Sequence, residues 1–137
     1  MHARCFLHTN ILVYAFEPSS PTKQMRAREL IATDRSWAVS WQVVQEFVHV
    51  ARHPFRKPLE TEYLAELIDL LLAPRCAVFP CATIWRSALA IQTETQYSFY
   101  DSLILASAIE SGAPTLYSED LQHGRRIGPL EIINPFL

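Results

Sequence analysis

Apolar residues along this chain follow two spacings: short unbroken runs, and longer stretches in which they return every three or four positions. The first run, Ala3–Leu7, reads as a buried strand. His8-Thr9-Asn10 then punctuates the chain before the apolar pattern resumes over Ile11–Phe16, so the expected order is strand, polar turn, helix. Glu17-Pro18-Ser19-Ser20-Pro21 is a loop, and Ser20 followed by Pro21 supplies an N-cap and a first-turn proline for a helix running to about Ala32. Trp37–Ser40 reads as a second strand. From Trp41 to about His53, Val43, Val44, Phe47, Val48, Val50 and Ala51 recur at helical spacing until Pro54 stops them. Pro58–Leu72 is expected to be another helix, with Tyr63, Leu64, Leu67, Ile68, Leu71 and Leu72 on its apolar face. Ala77–Pro80 is a third short strand, Thr83–Thr93 a helix, Ser98–Ser111 a strongly apolar helix, and Thr115–Tyr117 a fourth strand after the break at Gly112. Glu131–Ile133 reads as a last strand at a sheet edge. Strands that alternate with helices predict an α/β domain whose parallel sheet is covered on both faces.

The length, 137 residues with 50% hydrophobic, predicts one domain with a proper core. A formal charge of −2 argues against a broadly basic nucleic-acid surface and leaves room for a local basic patch. Cys5, Cys76 and Cys81 make an odd count, no secretory segment is evident, and Ile11–Phe16 is far too short to span a bilayer, so a reducing cytosol is expected, with no membrane association. Cys76 and Cys81 lack the tight pairs and nearby histidines of a structural zinc site and are expected to be ordinary buried thiols.

Three carboxylates, Glu46, Asp101 and Asp120, each sit where a strand-like run gives way to a helix or turn, and His8 stands at a fourth such place. Positions just past the ends of parallel strands converge on one edge of a sheet, so residues distant in sequence can form one site. Helical spacing puts Glu46 at the margin of its helix's apolar stripe, beside Val43 and Val50, with Gln42, Gln45 and His49 on the outward face. A solvated helix flank is the alternative. Asp101 falls in the first turn of a helix that is apolar nearly all round, and its spacing from Ser98 equally fits a capping box. Asp120 or its neighbour Glu119 projects over the end of the fourth strand, with a solvated acidic turn as the alternative. A site requires all three plain alternatives to fail together, which gives the set more weight than any member.

On these residues the chain resembles a known family. Phe6-Leu7-His8-Thr9-Asn10-Ile11-Leu12-Val13-Tyr14-Ala15-Phe16 looks like the opening of PIN-domain proteins, in which a strand ends in Asp-Thr-Asn. The resemblance continues through Gln45-Glu46-Phe47, Tyr100-Asp101-Ser102-Leu103-Ile104-Leu105-Ala106 and Tyr117-Ser118-Glu119-Asp120, and its details are those of VapC-type toxins. It implies a three-layer α/β/α domain and a metal-dependent ribonuclease using Mg²⁺ or Mn²⁺. It also implies neutralisation by an antitoxin protein, and a homodimer for which the 58–72 helix is a candidate surface. Carried across, Glu46, Asp101 and Asp120 match metal-binding carboxylates, Thr9 and Asn10 match supporting residues, and Glu119 is a secondary acid.

His8 departs from the pattern at the family's first acid. Imidazole is a neutral nitrogen ligand that suits Mn²⁺ or Zn²⁺ better than Mg²⁺, and replacing Asp removes a negative charge from the pocket. The chain as written is therefore expected to be impaired or inactive. A natural degenerate copy and an introduced substitution both account for His8, and a non-catalytic PIN-fold module that binds an antitoxin or RNA is the alternative function. Arg52, Arg56 and Lys57 after the Glu46 helix, and His123, Arg125 and Arg126 after the last acid, offer a path for RNA phosphates or simply solvated loops. Trp41, Tyr97 and Tyr100 are either base-stacking or packing aromatics.

Overall fold

The computed structural model describes residues 3–33, 36–53 and 57–137. Its elements, in chain order, are β1 (Cys5–Leu7), α1 (Thr9–Phe16), α2 (Pro21–Thr33), β2 (Trp37–Ser40), α3 (Trp41–Arg52), α4 (Thr61–Leu67), β3 (Cys76–Val78), α5 (Ala82–Thr95), α6 (Phe99–Glu110), β4 (Thr115–Tyr117), β5 (Arg126–Ile127) and β6 (Leu130–Ile133). The strands form one six-stranded sheet in the order β3-β2-β1-β4-β6-β5. Every pairing is parallel except β5 with β6. This is the expected α/β/α arrangement, with two differences at one end of the sheet. The strand over Glu131–Ile133 is not the edge, because Arg126–Ile127 folds back against it across Gly128 and becomes the edge itself. A two-residue strand has too few positions to show an alternating pattern, so periodicity misses it.

The central strands are short and apolar because both of their faces are covered. β1 and β2 are buried at every position. α6 is apolar all round for the same reason, since it packs on β2 and β4 with α5 over its outer side. Its run from Ser102 to Ala108 is buried without a break. α3 follows β2 with no intervening loop; the Ser40 hydroxyl accepts the Val43 N–H at 3.4 Å and caps it. The expected 58–72 helix is shorter and less regular: α4 ends at Leu67, passes through a wide π-type turn over Ile68–Leu72 and tightens over Ala73–Arg75 before β3. Pro74 cannot supply a helical N–H, which accounts for the tightening. Pro54, the expected stop of α3, and Arg56 lie outside the described residues. Cys5 is a buried thiol, whereas Cys76 and Cys81, both expected to be buried, are half-buried and exposed, the latter at the start of α5. Among the described residues no helix is long and apolar enough to cross a membrane.

Strand order determines where a cleft opens. From β1 the chain builds outward through β2 to β3, then returns to the other side of β1 as β4. The carboxyl ends of β1 and β4 therefore flank the point at which the winding reverses, the usual place for a binding crevice in such sheets. Because α6 is enclosed on several sides, Ile104→Ala should lower unfolding free energy by about 2–5 kcal/mol. The measurement is the urea midpoint at unchanged slope; a loss under about 1 kcal/mol would contradict the packing described.

Candidate active site

Beyond the ends of β1 and β4 lies a cleft of about 570 Å³, lined by His8, Thr9, Asn10, Val13, Tyr14, Glu46, His49, Val50, Asp101 and Asp120. Each acid arrives on a different element. Glu46 comes from α3 and is half-buried. Asp101 comes from the first turn of α6, where the Ser98 hydroxyl accepts its N–H at 3.1 Å. Asp120 comes from the loop after β4, where the Ser118 hydroxyl accepts its N–H at 3.2 Å. The acceptance by Ser98 supplies half of the expected capping box and leaves the Asp101 carboxylate on the cleft.

His8 lies directly past β1 and is 7% exposed. Its Nδ1 is 2.8 Å from the Ser118 hydroxyl and 3.3 Å from Asn10 Nδ2. Asn10 is oriented by its other contacts: its Oδ1 accepts the Glu119 N–H at 3.2 Å, and its Nδ2 donates to Asp120 Oδ2 at 3.0 Å. An amide N–H therefore faces both His8 Nδ1 and, at 3.5 Å, the Ser118 hydroxyl, an arrangement that suits Nδ1 as an acceptor with the imidazole proton on Nε2. Burial lowers the His8 pKa below its ordinary value, more than Asp120, Asp101 and Glu46 raise it. The ring is thus a neutral group among three carboxylates.

Besides Asp120, which Asn10 engages, Glu46 is also bound to the protein's own donors. Thr9 Oγ1 donates to Glu46 Oε1 at 2.6 Å, and Gln42 Nε2 lies 3.4 Å from Glu46 Oε2. Gln42, expected on the outward face of α3, is instead buried, with its Nε2 also donating to the Tyr100 carbonyl at 3.2 Å. Among the described residues, no group of three His, Cys, Asp or Glu side chains is gathered closely enough to hold a metal ion. Mg²⁺ demands near-octahedral oxygen ligands at about 2.0–2.1 Å. The Glu46, Asp101 and Asp120 carboxylates are donors of that kind, whereas a neutral His8 imidazole is not, so the set falls one oxygen donor short at His8.

Glu119, expected as a secondary acid, does not line the cleft. It receives the Tyr14 hydroxyl at 2.8 Å and pairs with Lys23 at 2.8 Å. Burial pushes its pKa up, but Lys23 and Tyr14 outweigh this and hold it below the usual value. The described basic residues of the expected RNA path also lie off the cleft lining. Arg52 donates to the Thr61 hydroxyl, Arg126 pairs with Glu131 at 3.5 Å, and Arg125 donates to Gln122 Oε1 at 2.7 Å. His123 Nδ1 accepts the Asn134 N–H at 3.0 Å, and Lys57 lines a separate groove with Arg28 and Tyr63. Trp41 and Tyr97 are half-buried, whereas Tyr100 is exposed. Ser118, Tyr14 and His49 also belong to the site, beyond the residues expected there. His49 could have been found three residues beyond Glu46, and Tyr14 four beyond Asn10, since both spacings share a helix face.

The lowered pKa of His8 fixes the sign of one pH effect. Protons bind the unfolded chain more readily, so this contribution to stability is present above the ordinary value of about 6.5 and is lost as pH falls through the lower folded value. His8→Asn should therefore show a smaller loss of stability between pH 7 and pH 5 than the unaltered chain, measured by urea unfolding at each pH. Equal losses would mean that His8 is not buried in its neutral form.

Comparison with solved structures finds the same fold in several other proteins. Mycobacterium tuberculosis VapC20, a sarcin-ricin loop cleaving toxin, superposes with a TM-score of 0.65 at 20% identity over 85% of this chain and 89% of that one. VapBC2 from Rickettsia felis, bound to a DNA fragment from its promoter, gives 0.62 at 23% identity over 93% and 96%. FitAcB from Neisseria gonorrhoeae gives 0.64 at 18% identity over 96% and 98%. A search of curated protein sequences gives no match. Such low identities speak to fold alone, but the sequence itself matches a PIN-domain family model over residues 5–127. The match takes in β1 with His8, α3 with Glu46, α6 with Asp101 and the loop with Asp120, and the chain belongs to the PIN-domain family.

Proposed function

We propose that this protein is a toxin-type PIN ribonuclease of a toxin–antitoxin pair, acting in the cytosol, whose metal-dependent cutting is impaired by His8. The observation that carries the reading is the convergence of Glu46, Asp101 and Asp120 on one cleft around His8. Phosphodiester hydrolysis needs an activated water and an offset for charge building on the phosphoryl oxygens. A divalent Mg²⁺ or Mn²⁺ ion supplies both when bound. Glu46, Asp101 and Asp120 are the oxygen ligands the cleft offers such an ion, with Thr9 and Asn10 orienting the acids and His8 occupying the position where a further carboxylate would complete the set.

The antitoxin is proposed by analogy with neighbours such as the Rickettsia felis VapBC2 complex. A basic antitoxin side chain would suit a cleft that, among the described residues, is lined by three acids and by no basic residue other than two histidines. A homodimer is part of the same reading. A second function, a non-catalytic PIN-fold module that binds an antitoxin or RNA without cutting, is favoured by one observation. The His8 ring is buried and hydrogen-bonded at the centre of the cleft, as a settled structural group would be.

The two readings part on restoring the acid. His8→Asp places a fourth carboxylate against the other three, and their repulsion favours a bound cation. The expected result is cleavage of structured RNAs by His8→Asp with Mg²⁺ or Mn²⁺, abolished by EDTA and by the further change Asp101→Asn. The unaltered chain should cut at least about tenfold more slowly, since even one oriented charge is worth that much at a reacting phosphate. A restored protein that binds RNA or an antitoxin yet cuts nothing supports the binding module and ends the nuclease reading.

A further inference from the structure

Asp120 lies on an exposed loop, and Asp101 on a helix that starts just after another loop, so their separation depends on how the two loops are tied. Gln122, two residues past Asp120, meets Tyr97, four residues before Asp101. The Tyr97 hydroxyl accepts the Gln122 N–H at 3.0 Å and donates to Gln122 Oε1, 3.4 Å away. Arg125 Nη1 donates to the same Oε1 at 2.7 Å, and its guanidinium lies over the Tyr97 ring, 5.1 Å from the centroid.

Both ends of this link are anchored. Gln96 adopts a left-handed backbone conformation, with φ 66°, that ends α5 and turns the chain toward α6. The Tyr97 N–H then donates to Thr95 Oγ1 at 3.2 Å, and the Ser98 cap begins the helix carrying Asp101. That region disfavours residues other than glycine, so the turn is held against a backbone penalty. On the other side, the Gly124 N–H donates to the Ile132 carbonyl at 2.7 Å and the Ile132 N–H to the Arg125 carbonyl at 2.9 Å, which fastens the loop to β6.

We infer that the Tyr97–Gln122–Arg125 cluster is a positioning clasp that sets the spacing of Asp101 and Asp120. Asn10 holds Asp120 from the α1 side, and the clasp holds its loop from the α6 side. Arg125 is accordingly a member of the clasp, its guanidinium engaged with Gln122 and Tyr97. The inference rests on the ribonuclease reading, because the spacing of two acids matters to hydrolysis and to cation binding and to little else.

The test is made in the His8→Asp protein, on an RNA that this protein cuts. Tyr97→Phe removes the hydroxyl and keeps the ring; Gln122→Ala removes the shared acceptor; Gln122→Glu keeps an acceptor for both Tyr97 and Arg125. The expected result for the first two is a kcat about 10- to 100-fold lower with KM little changed, the size of effect that follows a displacement near 1 Å. The rise in melting temperature caused by Mn²⁺ should shrink, the melting temperature without metal should move by less than about 4 °C, and Gln122→Glu should restore both kcat and the Mn²⁺ response. Unchanged kcat and Mn²⁺ response in Tyr97→Phe and Gln122→Ala overturn the clasp and leave the ribonuclease reading standing. So does a loss that follows the metal-free melting temperature and is not restored by Gln122→Glu, since that marks a purely structural tie. A His8→Asp protein that neither cuts RNA nor responds to Mn²⁺ overturns the ribonuclease reading, and the clasp with it.

Discussion

Strand β1 has parallel neighbours on both sides, β2 and β4, and the chain reaches them by opposite routes. Most of what is distinctive about the molecule depends on that arrangement. Burial of β1 and β2 at every position requires helices over both faces of the sheet, and those helices must begin and end near the strand termini. At the carboxyl ends of β1 and β4 the coverings diverge. The gap exposes His8, the Asp120 loop, a flank of α3 and the first turn of α6 to one another. Apolar burial thus delivers four polar residues to one place without any direct attraction among them.

Three of those residues are acids that repel one another, and the local hydrogen bonds offset part of the repulsion. Thr9 and Gln42 engage Glu46, and Asn10 engages Asp120 while also holding the Glu119 N–H. Asn10 is the point on which the arrangement turns, because the same side chain orients His8, Asp120 and the loop backbone. Its amide cannot be reversed without facing N–H against N–H at Glu119 and oxygen against oxygen at Asp120. That in turn favours His8 as a neutral acceptor at Nδ1. The histidine therefore relieves the crowding of acids by adding no charge of its own, which is a different solution from a bound cation.

A second set of contacts lies just behind the cleft wall. Lys23 pairs with Glu119 and lies 4.9 Å from the Tyr14 ring centroid; Tyr14 in turn meets Phe136 edge-on at 5.0 Å. Glu119 and Asp120 are adjacent in sequence yet do different work, one tied into this cluster and the other facing the cleft. Consecutive residues leaving a strand point in different directions, which separates the two acids at no cost in chain length.

The sequence by itself determined the order of the main helices and of every strand but β5, the α/β architecture and the burial of β1 and α6, because these follow from periodicity and from runs too apolar to face water. It also placed Asp101, Asp120 and His8 at strand or helix ends and Glu46 on the flank of α3, with the PIN-family motifs around them, which is why the candidate site was legible along the chain. Only the tertiary structure decided what each polar group does. Gln42 turned inward because Tyr100, distant in sequence, offers it a carbonyl; Glu119 turned away because Lys23 and Tyr14 lie there; Arg125 settled on Tyr97; and Arg126 became part of an edge strand too short to carry a pattern. Apolar patterning is a property of neighbouring residues and can be read along the chain. Hydrogen-bond partners and charge environments are set by residues brought together across it, and no local spacing encodes them.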